Sequence, residues 1–88
     1  MNAYQPRPWK KLYKTKAWYR LRHAQITKQP LCEYCEAQGY LTPAAVVDHI
    51  IAHKGDEILF HDPDNLRSLC KKHHDATKQR EEINRVII

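Results

Sequence analysis

Two short pairs of metal-binding side chains stand out in this sequence of 88 residues. Two residues separate Cys32 from Cys35, and two residues separate Cys70 from His73. A gap of this length lets one turn present both side chains to a single ion. Four such ligands complete a tetrahedral zinc shell with no open position, which is typical of a structural site. The two pairs therefore predict a structural Zn²⁺ bound by Cys32, Cys35, Cys70 and His73.

A second histidine, His74, follows His73 directly. Neighbouring side chains on a helix point about 100° apart, so the two histidines are not expected to bind the same ion. If His73 completes the zinc shell, His74 is left for other chemistry in the first turn of a helix. The reverse assignment, in which Cys70 pairs with His74, is less regular and stays open.

Asp48 and His49 interrupt the apolar run 45–51, which is rich in Val and Ile. The run predicts a strand. A carboxylate and an imidazole are costly inside an apolar strand unless they bind something. The interruption therefore indicates a functional pair.

The elements that must position these residues belong to one small domain. A chain of this length has a thin core and usually needs a metal, a disulfide or a partner subunit to fold firmly. We expect a basic arm over 1–14 and a single domain over 15–88, with Thr15 as an N-cap and Trp18 in the core. The predicted elements are a helix over 16–28, a strand over 45–51, a loop over 52–64, a strand over 66–69, a turn over 70–73 and a helix from 74 to about 84.

Positive charge is concentrated before the first cysteine. The net charge is +5, and residues 1–31 contain eight Lys or Arg and no acid. Aromatic residues interleave with these cations, a composition typical of surfaces that contact phosphates and stack on bases. A solvated helix face is an equally good interpretation of the charges alone, and an anionic membrane is a weaker third. The predicted DNA contacts are Lys10, Lys11, Lys14, Lys16, Arg20, Arg22 and, on the second strand, Arg67.

The cysteines also bear on the expected compartment. Three thiols cannot all pair, and the sequence has no signal peptide and no long apolar segment. We expect a cytoplasmic protein of a bacterial host or phage, because closely spaced cysteines in the cytosol more often hold metal than form disulfides.

Taken together, these motifs resemble the signature of the HNH endonucleases. The matching segments are Val47-Asp48-His49-Ile50, Asn65-Leu66, and Leu69-Cys70 followed by His73-His74. The cysteine pairs match the zinc-bearing branch of the family found in phages and prophages, although His73 stands where many members have a fourth cysteine. The resemblance covers roughly residues 18–82.

The resemblance implies a small α+β fold of the ββα-metal (His-Me finger) type, with an added N-terminal helix. It implies that Asp48 and His74 hold a divalent cation such as Mg²⁺ or Mn²⁺, that His49 is the general base, and that Asn65 braces the loop that positions His49. The implied activity is hydrolysis of DNA phosphodiester bonds, with nicking as one form of it. For phage-type members it also implies help in genome packaging beside the terminase and portal proteins.

Two other functions compete with this interpretation. A non-catalytic zinc module that binds nucleic acid would use the same cysteine pairs and basic arm, but it has no need for Asp48 and His49 in an apolar strand. A zinc ribbon that binds protein is disfavoured by the basic, aromatic arm.

His53 and His61 are further candidates for metal or phosphate contacts, with simple exposure as the alternative. His23 is expected to be an ordinary helix-face residue.

Overall fold

The computed structural model describes residues 8–76. They form a small α+β fold in which helices surround a two-stranded antiparallel sheet. In chain order the elements are a 3₁₀ helix, Pro8–Lys14, which we call the strap; α1, Lys16–Lys28; α2, Glu33–Ala37; β1, Val46–His49; α3, Glu57–Phe60; a 3₁₀ turn, Pro63–Asn65; β2, Leu66–Leu69; and α4, which is helical over 71–76.

Helix α1 has the bounds that the sequence predicts. The Thr15 hydroxyl accepts a hydrogen bond from the backbone N–H of Trp18 at 3.1 Å, which caps the first turn. Trp18 is buried, as expected for a core residue. Gln25 is also buried, and its amide donates to the Ser68 hydroxyl at 3.2 Å. This contact fixes the helix against β2.

The sheet pairs Asp48 with Arg67 and His49 with Leu66. Along β1, Val47 and His49 are buried, whereas Asp48 is only partly buried. This alternation places His49 and Asp48 on opposite faces of the sheet, as the strand geometry predicts.

β1 ends at His49, two residues before the predicted end of the strand. The backbone N–H of Ile50 donates to the Asn65 carbonyl at 2.8 Å, and that of Ile51 donates to the Asn65 side chain at 2.7 Å. These bonds turn the chain away from the sheet directly after His49, and both isoleucines are exposed. Asn65 therefore ends the strand.

The predicted loop over 52–64 was wrong in part, because it contains α3 and the 3₁₀ turn. Asp56 accepts hydrogen bonds from the backbone N–H groups of Ile58 and Leu59, and Asp62 accepts one from Asp64. These acids are helix N-caps, a preferred role for Asp. The short helix that Asp56 begins carries Phe60, which is fully buried.

Helix α4 begins at residue 71, three residues earlier than predicted, and the expected extension to Asn84 lies outside the described residues. The described half of the basic arm, 8–14, is folded as the strap, and its Tyr13 packs against Trp18 with ring centroids 5.2 Å apart. The division between arm and domain at residue 14 stays a prediction. Within 8–76, no helix is long and apolar enough to cross a membrane.

Candidate metal centre and active site

The four predicted zinc ligands converge in space. Their ligand atoms all lie within 4.8 Å of one another. The Nδ1 atom of His73 lies 3.5, 3.4 and 3.2 Å from the Sγ atoms of Cys32, Cys35 and Cys70, and the last two sulfurs are 4.0 Å apart. A tetrahedral zinc ion with ordinary bond lengths would require about 3.5 Å and about 3.8 Å for these two kinds of edge. The cluster therefore fits a single tetrahedral ion.

Three elements bring this cluster together. Cys32 and Cys35 lie at the start of α2, Cys70 follows the end of β2, and His73 lies in the first turn of α4. The backbone N–H of Cys32 donates to the Thr42 carbonyl at 2.8 Å, which holds the first pair in place. Cys32 and Leu69 are fully buried beside it. The cluster thus forms a second small core on the Asp48 face of the sheet.

Charge on the thiols favours a bound cation. Burial raises the pKa of Cys32, but hydrogen bonds from the backbone N–H groups of Cys70 and Cys35, together with those two thiols, outweigh it and lower the pKa to about 6. The Thr42 side chain lowers the pKa of Cys35, but burial and the neighbouring thiols outweigh this and raise it. Cys32 is therefore more readily present than Cys35 as thiolate, the form that binds metal.

His49 is held on the opposite face with a defined tautomer. Its Nε2 atom lies 3.1 Å from the Phe60 carbonyl oxygen. Because a carbonyl can only accept, Nε2 must carry the proton, and neutral His49 keeps its lone pair on Nδ1. The ring stacks on Trp18 at 5.4 Å with an interplanar angle of 22°. The stacked ring of His49 therefore carries its lone pair on Nδ1.

The surroundings of His49 also favour its neutral form. Burial lowers the pKa of His49 below its ordinary value, and the nearby His61 adds to this effect. The Phe60 carbonyl and the Asp48 carboxylate act in the opposite direction but do not outweigh burial. The imidazole is thus available to accept a proton at neutral pH.

Asn65 braces the turn that follows His49. Its side-chain oxygen accepts from the backbone N–H of Ile51 at 2.7 Å, and its amide donates to the carbonyls of Ile51 and Leu59 at 3.0 Å each. The side chain is buried. Asn65 therefore ties the end of β1 to α3, the helix whose Phe60 carbonyl holds His49.

Asp48 and His74 are more accessible than His49, with side chains 22% and 21% exposed. Asp48 accepts from the backbone N–H of His49 at 2.9 Å and pairs with Arg67 at 3.3 Å. The Nδ1 atom of His74 lies 3.5 Å from an Asp75 carboxylate oxygen, which leaves Nε2 as a ligand atom. That the two residues share one cation stays a prediction.

The predicted DNA contacts divide into two groups. Arg67 differs from the others because its side chain is only 11% exposed: it donates to the Tyr34 hydroxyl at 2.8 Å and pairs with Asp48. Contact between these residues and DNA stays a prediction. The remaining six are exposed on the strap and α1: Lys10, Lys11, Lys14, Lys16, Arg20 and Arg22.

Sequence reasoning did not find the aromatic surroundings of His49. Tyr13 on the strap and His53 both pack beside it, and His53 is buried rather than exposed. The signal in the sequence was Gly55. In the structure it has a φ of +90°, and a Cβ there would lie 3.1 Å from the Trp9 ring, a tight contact. The glycine indicates that the strap crosses the loop after β1.

Comparison with known proteins agrees with this geometry. None of the curated proteins matches the chain. A solved structure, the HNH endonuclease of the deep-sea thermophilic bacteriophage GVE2 with a manganese ion, is similar at 32% identity and a TM-score of 0.76, covering 83% of this chain and 80% of that one. The family model described as HNH endonuclease matches residues 32–80, more than half of the sequence. This chain therefore belongs to the HNH endonuclease family and is a DNA-cleaving hydrolase.

Proposed function

We propose that this nuclease hydrolyses DNA phosphodiester bonds with neutral His49 as the general base and with one divalent cation, Mg²⁺ or Mn²⁺, held by Asp48 and His74. The observation that carries the proposal is the 3.1 Å contact between His49 Nε2 and the Phe60 carbonyl. It assigns the lone pair of the imidazole to Nδ1 in a side chain whose burial favours the neutral form.

In the proposed reaction, His49 Nδ1 removes a proton from a water molecule. The water oxygen forms a bond to phosphorus in line with the 3′ oxygen, whose bond to phosphorus breaks. A base in this position typically contributes a rate factor of about 10²–10⁴. Asn65 supports the step by holding the turn after His49, and the Phe60 carbonyl keeps the proton on Nε2 throughout the approach of the water.

The residues available for the cation fit an oxygen-preferring divalent ion. Each Asp48 oxygen makes one hydrogen bond and keeps a further lone pair. His74 is oriented by Asp75, which is the usual outer partner of a metal-binding imidazole. A bound cation would stabilise charge on the phosphate and on the departing 3′ oxygen. The manganese ion named with the GVE2 enzyme supports this part of the proposal.

The second ion is a structural Zn²⁺ at Cys32, Cys35, Cys70 and His73. Two features support zinc: the donor set of three sulfurs and one imidazole nitrogen, and distances that fit a closed tetrahedron. A closed shell offers no position for substrate. Zinc is therefore proposed to hold α2, β2 and α4 together and to take no part in the cleavage.

DNA is proposed to lie across the strap and α1, where the six exposed cations Lys10, Lys11, Lys14, Lys16, Arg20 and Arg22 are found. A domain of this size has little surface with which to read base sequence, so weak specificity or nicking is expected. A place beside the terminase and portal in phage genome packaging is the biological role that the resemblance suggests.

The test is conversion of supercoiled plasmid to nicked and linear forms by zinc-loaded protein with Mn²⁺ or Mg²⁺, with EDTA as a control. The variant is His49→Gln, whose amide nitrogen can still reach the Phe60 carbonyl but which lacks a basic Nδ1. We expect a loss of about 10²–10⁴-fold, with zinc content and melting temperature retained. His23→Gln, at an exposed position on α1, is the matched control and should cut normally.

Each outcome has a meaning for the proposal. If His49→Gln cuts as well as the wild type, His49 is not the base. If the wild type binds DNA but never cuts it with either metal, the non-catalytic binding function replaces the nuclease. The ratio of nicked to linear product at low conversion separates nicking from double-strand cleavage.

A further inference from the structure

The strap and the loop after β1 meet beside the proposed general base. Trp9 and Tyr13 turn inward from the strap, and their rings lie 5.9 and 5.8 Å from the ring of His53. His53 is buried, with an exposed fraction of 6%. His53 is therefore neither a ligand of the cysteine cluster nor an exposed loop histidine.

Hydrogen bonds define the tautomer of His53. The backbone N–H of Gly55 donates to Nδ1 at 3.0 Å, and the Tyr13 hydroxyl lies 2.8 Å from Nε2. Because the Gly55 N–H can only donate, Nδ1 must accept, and neutral His53 carries its proton on Nε2. His53 therefore donates to the Tyr13 oxygen. The bond joins the strap to the loop across 40 residues of sequence.

The ring of His53 in turn confines the ring of His49. Their centroids are 4.7 Å apart at an interplanar angle of 63°. Both imidazoles pack on Phe60, at 4.8 and 5.0 Å, and Tyr13 packs on the same ring at 4.9 Å. Trp18 also stacks on His49, so the His49 ring is in contact with the rings of Trp18, Phe60 and His53. The orientation of Nδ1 thus depends on where His53 is held.

We propose that Tyr13 and His53 are positioning residues for this reaction: the Tyr13 hydroxyl fixes the His53 ring, and that ring keeps His49 in the orientation that presents Nδ1 to the attacking water. The inference rests on the proposed function of His49 as the base. Neither residue touches the reacting atoms, so both act through His49. Their loss should reduce turnover and leave DNA affinity unchanged.

Tyr13→Phe is the sharpest variant, because it keeps the ring that packs on Phe60 and Trp18 and removes only the hydroxyl. Tyr40→Phe removes a hydroxyl from a side chain that is 63% exposed and serves as the matched control. We expect kcat of Tyr13→Phe to fall about tenfold, the loss typical of one orienting hydrogen bond. KM for a DNA duplex and zinc content should stay at wild-type values. The melting temperature should fall modestly while the protein stays folded at the assay temperature, because the buried Nε2–H of His53 loses its acceptor.

A second pair of variants tests His53. Gln can still donate an amide N–H toward Tyr13 from the position of Nε2, whereas Ala can neither donate nor fill the space. We expect kcat to decrease in the order wild type, His53→Gln, His53→Ala. His53→Gln therefore tests the hydrogen bond if Tyr13→Phe should fail to fold.

A readout independent of cleavage is the long-range ¹H–¹⁵N spectrum of the histidine rings in zinc-loaded protein. We expect the wild type to show His49 with its proton on Nε2 alone, Tyr13→Phe to show averaged ring signals for His49, and Tyr40→Phe to match the wild type. If wild-type protein does not cut DNA, the proposed function fails. The spectrum still shows whether Tyr13 determines the orientation and tautomer of His49. Wild-type kcat with unchanged His49 signals in Tyr13→Phe overturns the inference. A fall in kcat that is explained by loss of zinc or by unfolding at the assay temperature also overturns it.

Discussion

The two faces of the β1–β2 sheet hold their functional side chains in different ways. On the Asp48 face, the cysteines and His73 converge on one another, and the shortest contact in the cluster is 3.2 Å between Cys70 and His73. On the His49 face, the functional side chains bind backbone groups: His49 the Phe60 carbonyl, and Asn65 three peptide groups. The first arrangement is a donor set that a bound ion would hold together, whereas the side chains of the second are held by hydrogen bonds to the backbone.

Arg67 and Tyr34 connect the cysteine cluster with Asp48 on the same face of the sheet. Tyr34 lies between Cys32 and Cys35 in sequence, and its ring packs on His73 at 5.5 Å. Its hydroxyl accepts from Arg67, which pairs with Asp48. Within the described range, Arg67 Nε is a buried polar atom without a hydrogen-bond partner. The Arg67 guanidinium is thus held by Tyr34 and Asp48. If loss of the proposed zinc displaced Tyr34, the guanidinium would move and its contact with Asp48 would change.

The largest expected effect is a difference between variants of the two adjacent histidines, His73 and His74. His73→Ala should lose the structural metal and with it the folded state, because zinc binding contributes roughly 10–16 kcal/mol to the folding of small zinc domains. His73→Cys should keep one zinc per chain, since a thiolate can replace the imidazole nitrogen. His74→Ala should also keep the zinc and lose cleavage. Zinc release measured with a chromophoric chelator and thermal unfolding by circular dichroism check all three.

His23→Ala is the control for loss of an imidazole from an exposed site. The assignment would be reversed if His74→Ala lost the zinc while His73→Ala kept it. In that case Cys70 and His74 would bind the zinc, the arrangement that the sequence alone left open. His73 would then be the histidine left for other chemistry.

Local signals account for what the sequence predicted correctly. The helix over Lys16–Lys28 follows from the Thr15 cap and Pro30, and the metal cluster follows from two matched ligand pairs. Both depend on residue types at fixed short spacing. The strand Leu66–Leu69 was predicted from its own run of residues. The family and the fold class were predicted from the resemblance to the HNH endonucleases.

The sequence could not predict features that depend on contacts between distant segments. The backbone carbonyl of Phe60 has no signature in residue identity, yet it sets the tautomer of His49. Likewise, the contact of Tyr13 with His53 joins residues 40 apart. Asp56 and Asp62 were interpreted as loop residues because a one-turn helix leaves no periodic pattern to distinguish it from a loop.

A smaller effect is expected from the brace on the His49 face. Asn65→Ala removes three hydrogen bonds and leaves buried peptide groups unpaired, which should cost about 1–3 kcal/mol of stability. Displacement of the turn should lower kcat by about 10²-fold. Zinc content should stay at one per chain, because Asn65 lies outside the cluster. Urea unfolding and plasmid cleavage measure the two effects.

Asp64→Ala, a change at the exposed neighbour, is the control and should alter neither quantity. Asn65→Asp keeps the acceptor for Ile51 but turns a carboxylate oxygen toward the carbonyls of Ile51 and Leu59, so it should be at least as unstable as Asn65→Ala. Zinc loss in Asn65→Ala would mean that the two faces are not independent.

The smallest effect concerns the pH dependence of the His49 face. Burial lowers the pKa of His49 below its ordinary value of 6.5, and the charge of His61 lowers it further. The base form therefore persists below pH 6.5, and the acid limb of kcat/KM should lie on that side. His61→Gln should move the limb to higher pH but not beyond 6.5, because burial is the larger cause and is unchanged. We expect a change of severalfold at most in the rate on that limb, with His23→Gln as the control.

The same shift has a consequence for stability. In the unfolded chain His49 titrates at its ordinary pKa, so below pH 6.5 the unfolded state binds more protons than the folded state does. This contribution to the free energy of unfolding is present above pH 6.5 and is lost as the pH falls through the folded pKa. The loss should be absent in His49→Gln, because Gln does not titrate. If both proteins lost stability equally between pH 6.5 and 5, the protons responsible would have to bind elsewhere, and zinc content measured over the same pH range would show whether the proposed zinc ligands bind them.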